Sequence, residues 1–173
     1  MRCAPLEEIL SKAVETGIVA DAVIAQSEAL WALREDVSEA QGMEGKTIKH
    51  DISLPISQIP DFIAAASRLL NNQFPGDRLI VFGHLGDGNL HFNISPPVGE
   101  DGAGLIARQD AINRTVHDLV AAYDGSISAE HGLGVLRHAE ARRYKSPVEW
   151  ELMRAIKSAL DPKGLMNPGK IFA

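Results

Sequence analysis

Arg78-Leu79-Ile80-Val81-Phe82-Gly83-His84-Leu85-Gly86-Asp87-Gly88-Asn89-Leu90-His91-Phe92-Asn93-Ile94-Ser95 reads as two extended runs, 78–84 and 89–95, joined through Gly86-Asp87-Gly88. An Asp-Gly pair between two such runs is a strong hairpin signal, because both central residues of a two-residue turn want positive φ. With Asp87 and Gly88 as that turn, His84 stands directly opposite His91 on one face of the hairpin. Opposed residues hold their Cβ atoms about 4.5–5.5 Å apart, close enough for two imidazoles to share one metal ion. Asn93, two residues beyond His91, points to the same side. The plain alternative is a pair of surface or partly buried histidines in an ordinary hairpin, and the spacing alone does not separate the two.

Working outward, Thr47 to Leu54 alternates: Ile48, His50, Ile52 and Leu54 share one side, and Thr47, Lys49, Asp51 and Ser53 the other. That is a half-buried strand. His50, among apolar residues, reads as a satisfied core residue, whereas His117 and His138 read as helix-surface residues. Leu6 to Val14 reads as a short helix closed by Gly17. Ser27 to Gln41 reads as a helix with an apolar stripe at Leu30, Leu33 and Val37, ended by Gly42. Further helices are expected at 60–72, 105–123 and 147–160, with a turn-rich loop at 96–104 and a Pro/Gly-rich tail at 161–173. Strands joined by a hairpin and by a helix predict an α+β domain with a mainly antiparallel sheet.

Ser128-Ala129-Glu130-His131-Gly132-Leu133-Gly134 sets an acid and an imidazole in one glycine-bearing turn. Adjacent side chains point apart, so Glu130 can complete a two-histidine, one-carboxylate ligand set while His131 is left as a base. The competing reading is a helix start, with Glu130 set against the helix dipole and His131 merely exposed. Arg34 and Ser38 share a face of their helix. Arg34 offers a planar fork suited to a carboxylate, and Lys49 offers a second positive charge. From the residues alone the ordinary reading wins, in which Arg34 pairs with Glu35 or Asp36 and Lys49 with a neighbouring acid on a solvated face.

Composition narrows the field. The 173 residues fit one domain, and a formal net charge of −6 argues against nucleic acid, which needs a basic stripe. No apolar run approaches the length of a membrane span, and the start of the chain lacks the apolar core of a signal peptide. One cysteine, Cys3, excludes internal disulfides and cysteine-based zinc sites and fits a reducing cytoplasm.

Five stretches in order, Leu30-Trp31-Ala32-Leu33-Arg34-Glu35, Lys49-His50-Asp51-Ile52-Ser53-Leu54-Pro55, Gly83 to Asn93, Ser128 to Gly134 and Leu160 to Ile171, resemble the C-terminal part of flavin-linked oxidases of the vanillyl-alcohol oxidase type. Within that family the D-2-hydroxyglutarate and D-lactate dehydrogenases and the glycolate oxidase flavoprotein subunit look nearest. The resemblance implies a ferredoxin-like α+β domain with helices packed on one face of its sheet. It implies His84, His91 and Glu130 as ligands of a divalent metal, typically zinc, and His131 as the base that takes a hydroxyl proton. It assigns Arg34, Ser38, Lys49 and Asn93 to the substrate, and Asn167 to the neighbourhood of the flavin. Ser38 often corresponds to threonine in the D-2-hydroxyglutarate branch, a change that keeps the hydroxyl.

On this reading residues 1–173 are one C-terminal domain, a fragment without the family's N-terminal FAD-binding domain. Gly83 to Gly88 does not replace that domain's pyrophosphate loop, because it turns between two strands rather than from strand to helix. The intact enzyme would oxidise a D-2-hydroxy acid to a 2-oxo acid with FAD, and the isolated chain would be inactive. Two further readings stay open: a non-catalytic subunit that pairs with a separate flavin chain, and a stand-alone metal-dependent hydrolase. An exposed apolar face, and with it a homodimer, is expected where a partner domain would sit.

Overall fold

The computed structural model describes residues 4–43, 45–135 and 137–172; Cys3 lies outside them. The chain divides into two compact units, Met1–Glu44 and Gly45–Ala173. The first consists of helices α1 (Ala4–Glu15) and α2 (Ser27–Met43). Gly17, at φ 72°, follows the end of α1 as expected of a left-handed stop. α2 continues through Gly42 rather than ending there, since a single glycine weakens a helix by only about 1 kcal/mol. Its expected stripe is not covered, for Leu30 and Leu33 are both exposed.

The second unit is built on a three-stranded antiparallel sheet in the order β1-β3-β2, with β1 at Ile48–Ser53, β2 at Arg78–His84 and β3 at Asn89–Ser95. Among the described residues five α-helices and a short 3-10 turn at Ile56–Gln58 complete it: α3 (Ile59–Gln73), α4 (Ala103–Ala107), α5 (Gln109–Ala122), α6 (His138–Tyr144) and α7 (Pro147–Leu160). This is the α+β architecture expected from the strand and turn pattern. Alternation sorts the central strand into two faces. Leu90, Phe92 and Ile94 join Ile48 and Ile52 of β1 in the core, under Phe62, Ala66 and Leu70 of α3 and Ile112, Val116 and Val120 of α5. Phe62 meets Phe92 edge-on at 5.4 Å between ring centroids, one of the favoured aromatic geometries. Asn89, His91 and Asn93 fall on the opposite face, with Lys49 and Asp51 beside them on β1 and Phe82 and His84 on β2.

The hairpin register differs from the two-residue turn. His84 pairs with Asn89 and Phe82 with His91, so the loop spans four residues, Leu85 to Gly88. Two contacts favour the longer loop. The Asn89 amide donates to Asp87 Oδ1 at 3.0 Å, and the Leu54 amide donates to the Gly88 carbonyl at 3.0 Å, tying the loop to the end of β1. The partner of each residue shifts by two positions, so every side chain keeps its face. His84 and His91 are therefore diagonal neighbours, not a directly opposed pair.

The helix expected over 105–123 is two helices broken at Arg108, whose backbone leaves the helical region (φ −101°, ψ 6°) and whose guanidinium grips both Asp77 oxygens, at 2.8 and 2.9 Å. His117 is buried, contrary to its reading as a surface residue. α6, a short helix with little pattern of its own, lays Glu140 over it, and His117 Nδ1 sits 2.8 Å from Glu140 Oε2. His138 is half-buried, its ring 6.2 Å from that of Trp150. His50 is the satisfied core residue expected: Nδ1 lies 2.9 Å from the Phe92 carbonyl and Nε2 2.9 Å from the Asn113 side chain. Along α7 the residues Val148, Leu152, Ile156 and Leu160 form an exposed apolar stripe. Among the described residues no helix is long and apolar enough to cross a membrane.

Candidate metal and base site

The polar face of the sheet brings the two hairpin histidines to the turn that follows α5. Strand pairing fixes the height of His84 and His91, and their rings meet edge-on at 6.2 Å. Glu130 reaches both: its Oε1 lies 3.3 Å from His84 Nδ1 and its Oε2 4.0 Å from His91 Nε2. Two tetrahedral zinc ligands, each about 2.0–2.1 Å from the ion, stand roughly 3.3 Å apart. Glu130 matches that spacing on the His84 side and stands wider on the His91 side, so the three side chains are candidates to share one divalent ion. All three side chains keep some exposure, from 21% for His91 to 45% for Glu130, which leaves room for a further ligand. The loop carboxylate Asp87 lies 3.7 Å from His84 Nδ1.

His131 lies beside this set. Its ring stacks on His91 at 6.0 Å with 30° between planes, its Nδ1 is 3.7 Å from Asp51 Oδ2, and 63% of its side chain is exposed. The imidazole is accessible, and at 3.7 Å its Nδ1 is within ion-pair range of the carboxylate but beyond hydrogen-bond distance.

Asp51 supplies that carboxylate, and the residue pattern gave it no site role. It is buried on β1, where Oδ1 accepts from Asn89 Nδ2 at 2.8 Å and Oδ2 accepts from the amides of Glu130 (2.7 Å), His131 (2.8 Å) and Ala129 (3.2 Å). Burial alone would raise its pKa. The amides of His131 and Glu130 and the Asn89 side chain outweigh burial and hold the carboxyl below its ordinary value. Asp51, His91 and His131 also place ligand-type atoms within 4.8 Å of one another. Four N–H donors already occupy the Asp51 oxygens, however, whereas Glu130 is open to an ion. Its place on the polar face of β1 was visible in the alternation, but its partners, some 80 residues further along, were not.

The remaining candidates are spread more widely. Lys49 is exposed on the same sheet face as His91. Asn93 is buried on that face and accepts from the His50 amide at 3.2 Å. Arg34 and Ser38 are exposed on α2, in the first unit, where the Arg34 guanidinium lies 5.7 Å from the Trp31 ring centroid. Asn167, at φ 45°, lines a cleft of 530 Å³ with Lys157 and Lys170. A cleft of 760 Å³ meets the cluster through Glu130 and contains neither hairpin histidine.

A family model described as "FAD linked oxidases, C-terminal domain" matches residues 2–171. Among curated proteins, the D-2-hydroxyglutarate dehydrogenase of Stutzerimonas stutzeri is 41% identical over 164 residues, which cover 92% of this chain and 35% of that protein. The mitochondrial D-2-hydroxyglutarate dehydrogenase of Arabidopsis thaliana is 40% identical over 172 residues (96% of this chain, 29% of that protein). The mitochondrial enzyme of the same name from Danio rerio is 41% identical over 170 residues (95% and 30%). The chain thus spans about a third of the length of these relatives.

Proposed function

Because the chain belongs to the FAD linked oxidases, whose C-terminal domain it matches from residue 2 to 171, we propose that it is the substrate- and metal-binding part of a flavin-dependent dehydrogenase that oxidises a D-2-hydroxy acid to a 2-oxo acid. D-2-Hydroxyglutarate is the first acid to try, given the relatives' names. The observation that carries the reading is the meeting of His84, His91 and Glu130 beside an accessible His131.

His84, His91 and Glu130 would hold a divalent ion, zinc in our reading, which would supply Lewis acidity toward the substrate's oxygens, and FAD on a further domain or a second chain would supply the hydride acceptor. The residues of this chain do the rest. His131 Nε2 takes the hydroxyl proton while its Nδ1 is turned toward Asp51. Lys49, exposed on the histidine face, neutralises the acid's carboxylate charge, and the family resemblance adds Arg34, Ser38 and Asn93 to the substrate's contacts. The 2-hydrogen leaves with its electron pair, so the loss of one proton and one hydride gives the 2-oxo acid. Asn167 belongs to the flavin side of the site. The apolar stripe on α7 gives a flavin-carrying partner, or a second copy of the chain, a surface to cover. A cytoplasmic location is the reading that a single cysteine favours.

The test is metal content per chain, on protein purified without chelator, for the parent, His84→Ala, Glu130→Gln and His131→Ala. One ion in the parent, almost none in the first two variants and one in His131→Ala is the expected pattern. In the complete enzyme His131→Ala should lower turnover by roughly 10²–10⁴-fold. A metal-free parent, or a turnover loss below about threefold, would sink the corresponding half of the reading.

A further inference from the structure

Asp51 enters the chemistry above only as the carboxylate beside His131, yet it is buried with hydrogen bonds on both oxygens. Burying a carboxylate is costly unless hydrogen bonds replace its water. Here four N–H groups do so, and three of them are the consecutive main-chain amides of Ala129, Glu130 and His131. Successive amides converging on one anion form a nest, and in this case the anion is a side chain of the sheet. A fifth bond, from the Ala129 amide to the Asp51 carbonyl at 3.1 Å, docks the same turn on β1. Arg137 fastens the segment just before it, donating to the Ile127 carbonyl at 2.7 Å and to the Lys49 carbonyl at 3.4 Å. Glu130 and His131 themselves are exposed. Beyond the contacts with His84 and His91, the fixed points of both residues are their amides on Asp51.

We propose that Asp51 is the positioning residue of this site: its carboxylate gathers the amides of residues 129–131 so that Glu130 reaches His84 and His91 while His131 stays exposed beside them. The proposal rests on the metal-site reading for its functional consequence. Its structural content, an anionic anchor for the turn, stands without it. The competing role is that of a fourth ligand, since Asp51, His91 and His131 atoms lie within 4.8 Å of one another.

The experiment uses the whole 173-residue chain, labelled with ¹⁵N and titrated with Co²⁺, whose visible spectrum reports the ligand set. Asp51→Asn keeps the shape but turns an N–H₂ group toward N–H donors. Amide exchange at residues 129–131 should speed up at least tenfold while Phe92 in the core strand is unchanged. Co²⁺ affinity should fall roughly 10–100-fold, the range usual for residues that orient ligands, with the saturated spectrum keeping its bands. Val116→Ala, a core variant away from the site, should lower Tm without changing Co²⁺ affinity by more than about twofold. Should Asp51→Asn not fold, Asn89→Ala, which removes only the Oδ1 partner, should give the same pattern at smaller amplitude.

Unchanged exchange at 129–131 in the folded variant overturns the proposal. So does a saturated spectrum with different bands, which would make Asp51 a ligand, or an equal loss of affinity in Val116→Ala, which would leave only general stability. If the parent binds no Co²⁺, the metal reading fails, and amide exchange at 129–131 alone decides the anchoring role.

Discussion

Lowering the pH from 7.5 to 4.5 should remove about 2.5 kcal/mol of stability from the second unit through His50 alone. Burial, the neighbouring His117 and, more weakly, Arg137 push its pKa down to about 4, against the hydrogen bonds to Phe92 and Asn113 that favour the charged ring. The neutral ring donates from Nδ1 to the Phe92 carbonyl, and Nε2 accepts from Asn113 once that amide is turned with its nitrogen inward. The unfolded chain protonates near 6.5, before the folded one does. The contribution is therefore fully present above about 6.5 and is lost as the pH falls toward about 4. The whole gap amounts to roughly 3 kcal/mol. At pH 4.5, where the folded ring carries about a quarter of a proton, about 2.5 kcal/mol of it has gone.

The assay is urea denaturation across this pH range, read from Trp150 in a Trp31→Phe background, since the chain has only these two tryptophans. His50→Gln, which has no titrating ring, should be less stable than the parent at pH 7.5 by about 1–3 kcal/mol for the hydrogen bonding it loses. Its stability should fall much less on acidification, with the remaining decline coming from groups both chains share, His117 among them. Parallel stability curves for parent and variant would refute the assignment of this pH dependence to His50.

Two smaller predictions concern local geometry. Gly88→Ala would place a Cβ 2.2 Å from the Leu54 carbonyl oxygen at a residue with φ +76°, so it should cost about 2–4 kcal/mol in thermal melts. Because it also disturbs the loop next to His84, it should weaken Co²⁺ binding. Ser146→Ala removes the Oγ that accepts from the Glu149 amide at 3.2 Å in a capping box closed by Glu149 Oε2 on the Ser146 amide. It should cost about 1 kcal/mol, visible as earlier loss of α7 helicity on heating.

What could be read from the residues alone depended on how local the cause was. Arg78–His84, Asn89–Ser95 and Pro147–Leu160 match the expected ranges, because alternation, turn glycines and the Ser146-Pro147 start act within a few residues. The hairpin register did not follow from Asp87-Gly88, since the longer loop is held by Leu54, a residue from another strand. His117 read as surface because its cover, α6, carries little periodic signal. His84 and His91 keep a common face through the change of register, as a shift by two leaves every side chain on its side. The grip of Asp51 on Ala129–His131 joins residues nearly 80 apart, beyond the reach of any local pattern.

The two-faced sheet has a consequence for how such a protein tolerates change. Odd positions of β1 and β3 and even positions of β2 share the histidine face, while Leu90, Phe92 and Ile94 alone carry the central strand's part of the core. A combinatorial library over positions 49, 80 and 82 therefore rewrites the neighbourhood of His91 and leaves the packing that folds the unit untouched. The same parity makes β3 intolerant of a change in length. Deleting one codon inside it would turn His91 inward and Phe92 outward, inverting the strand rather than trimming it. The exposed positions of this face can be retuned by substitution, whereas a change of length reaches the core at once.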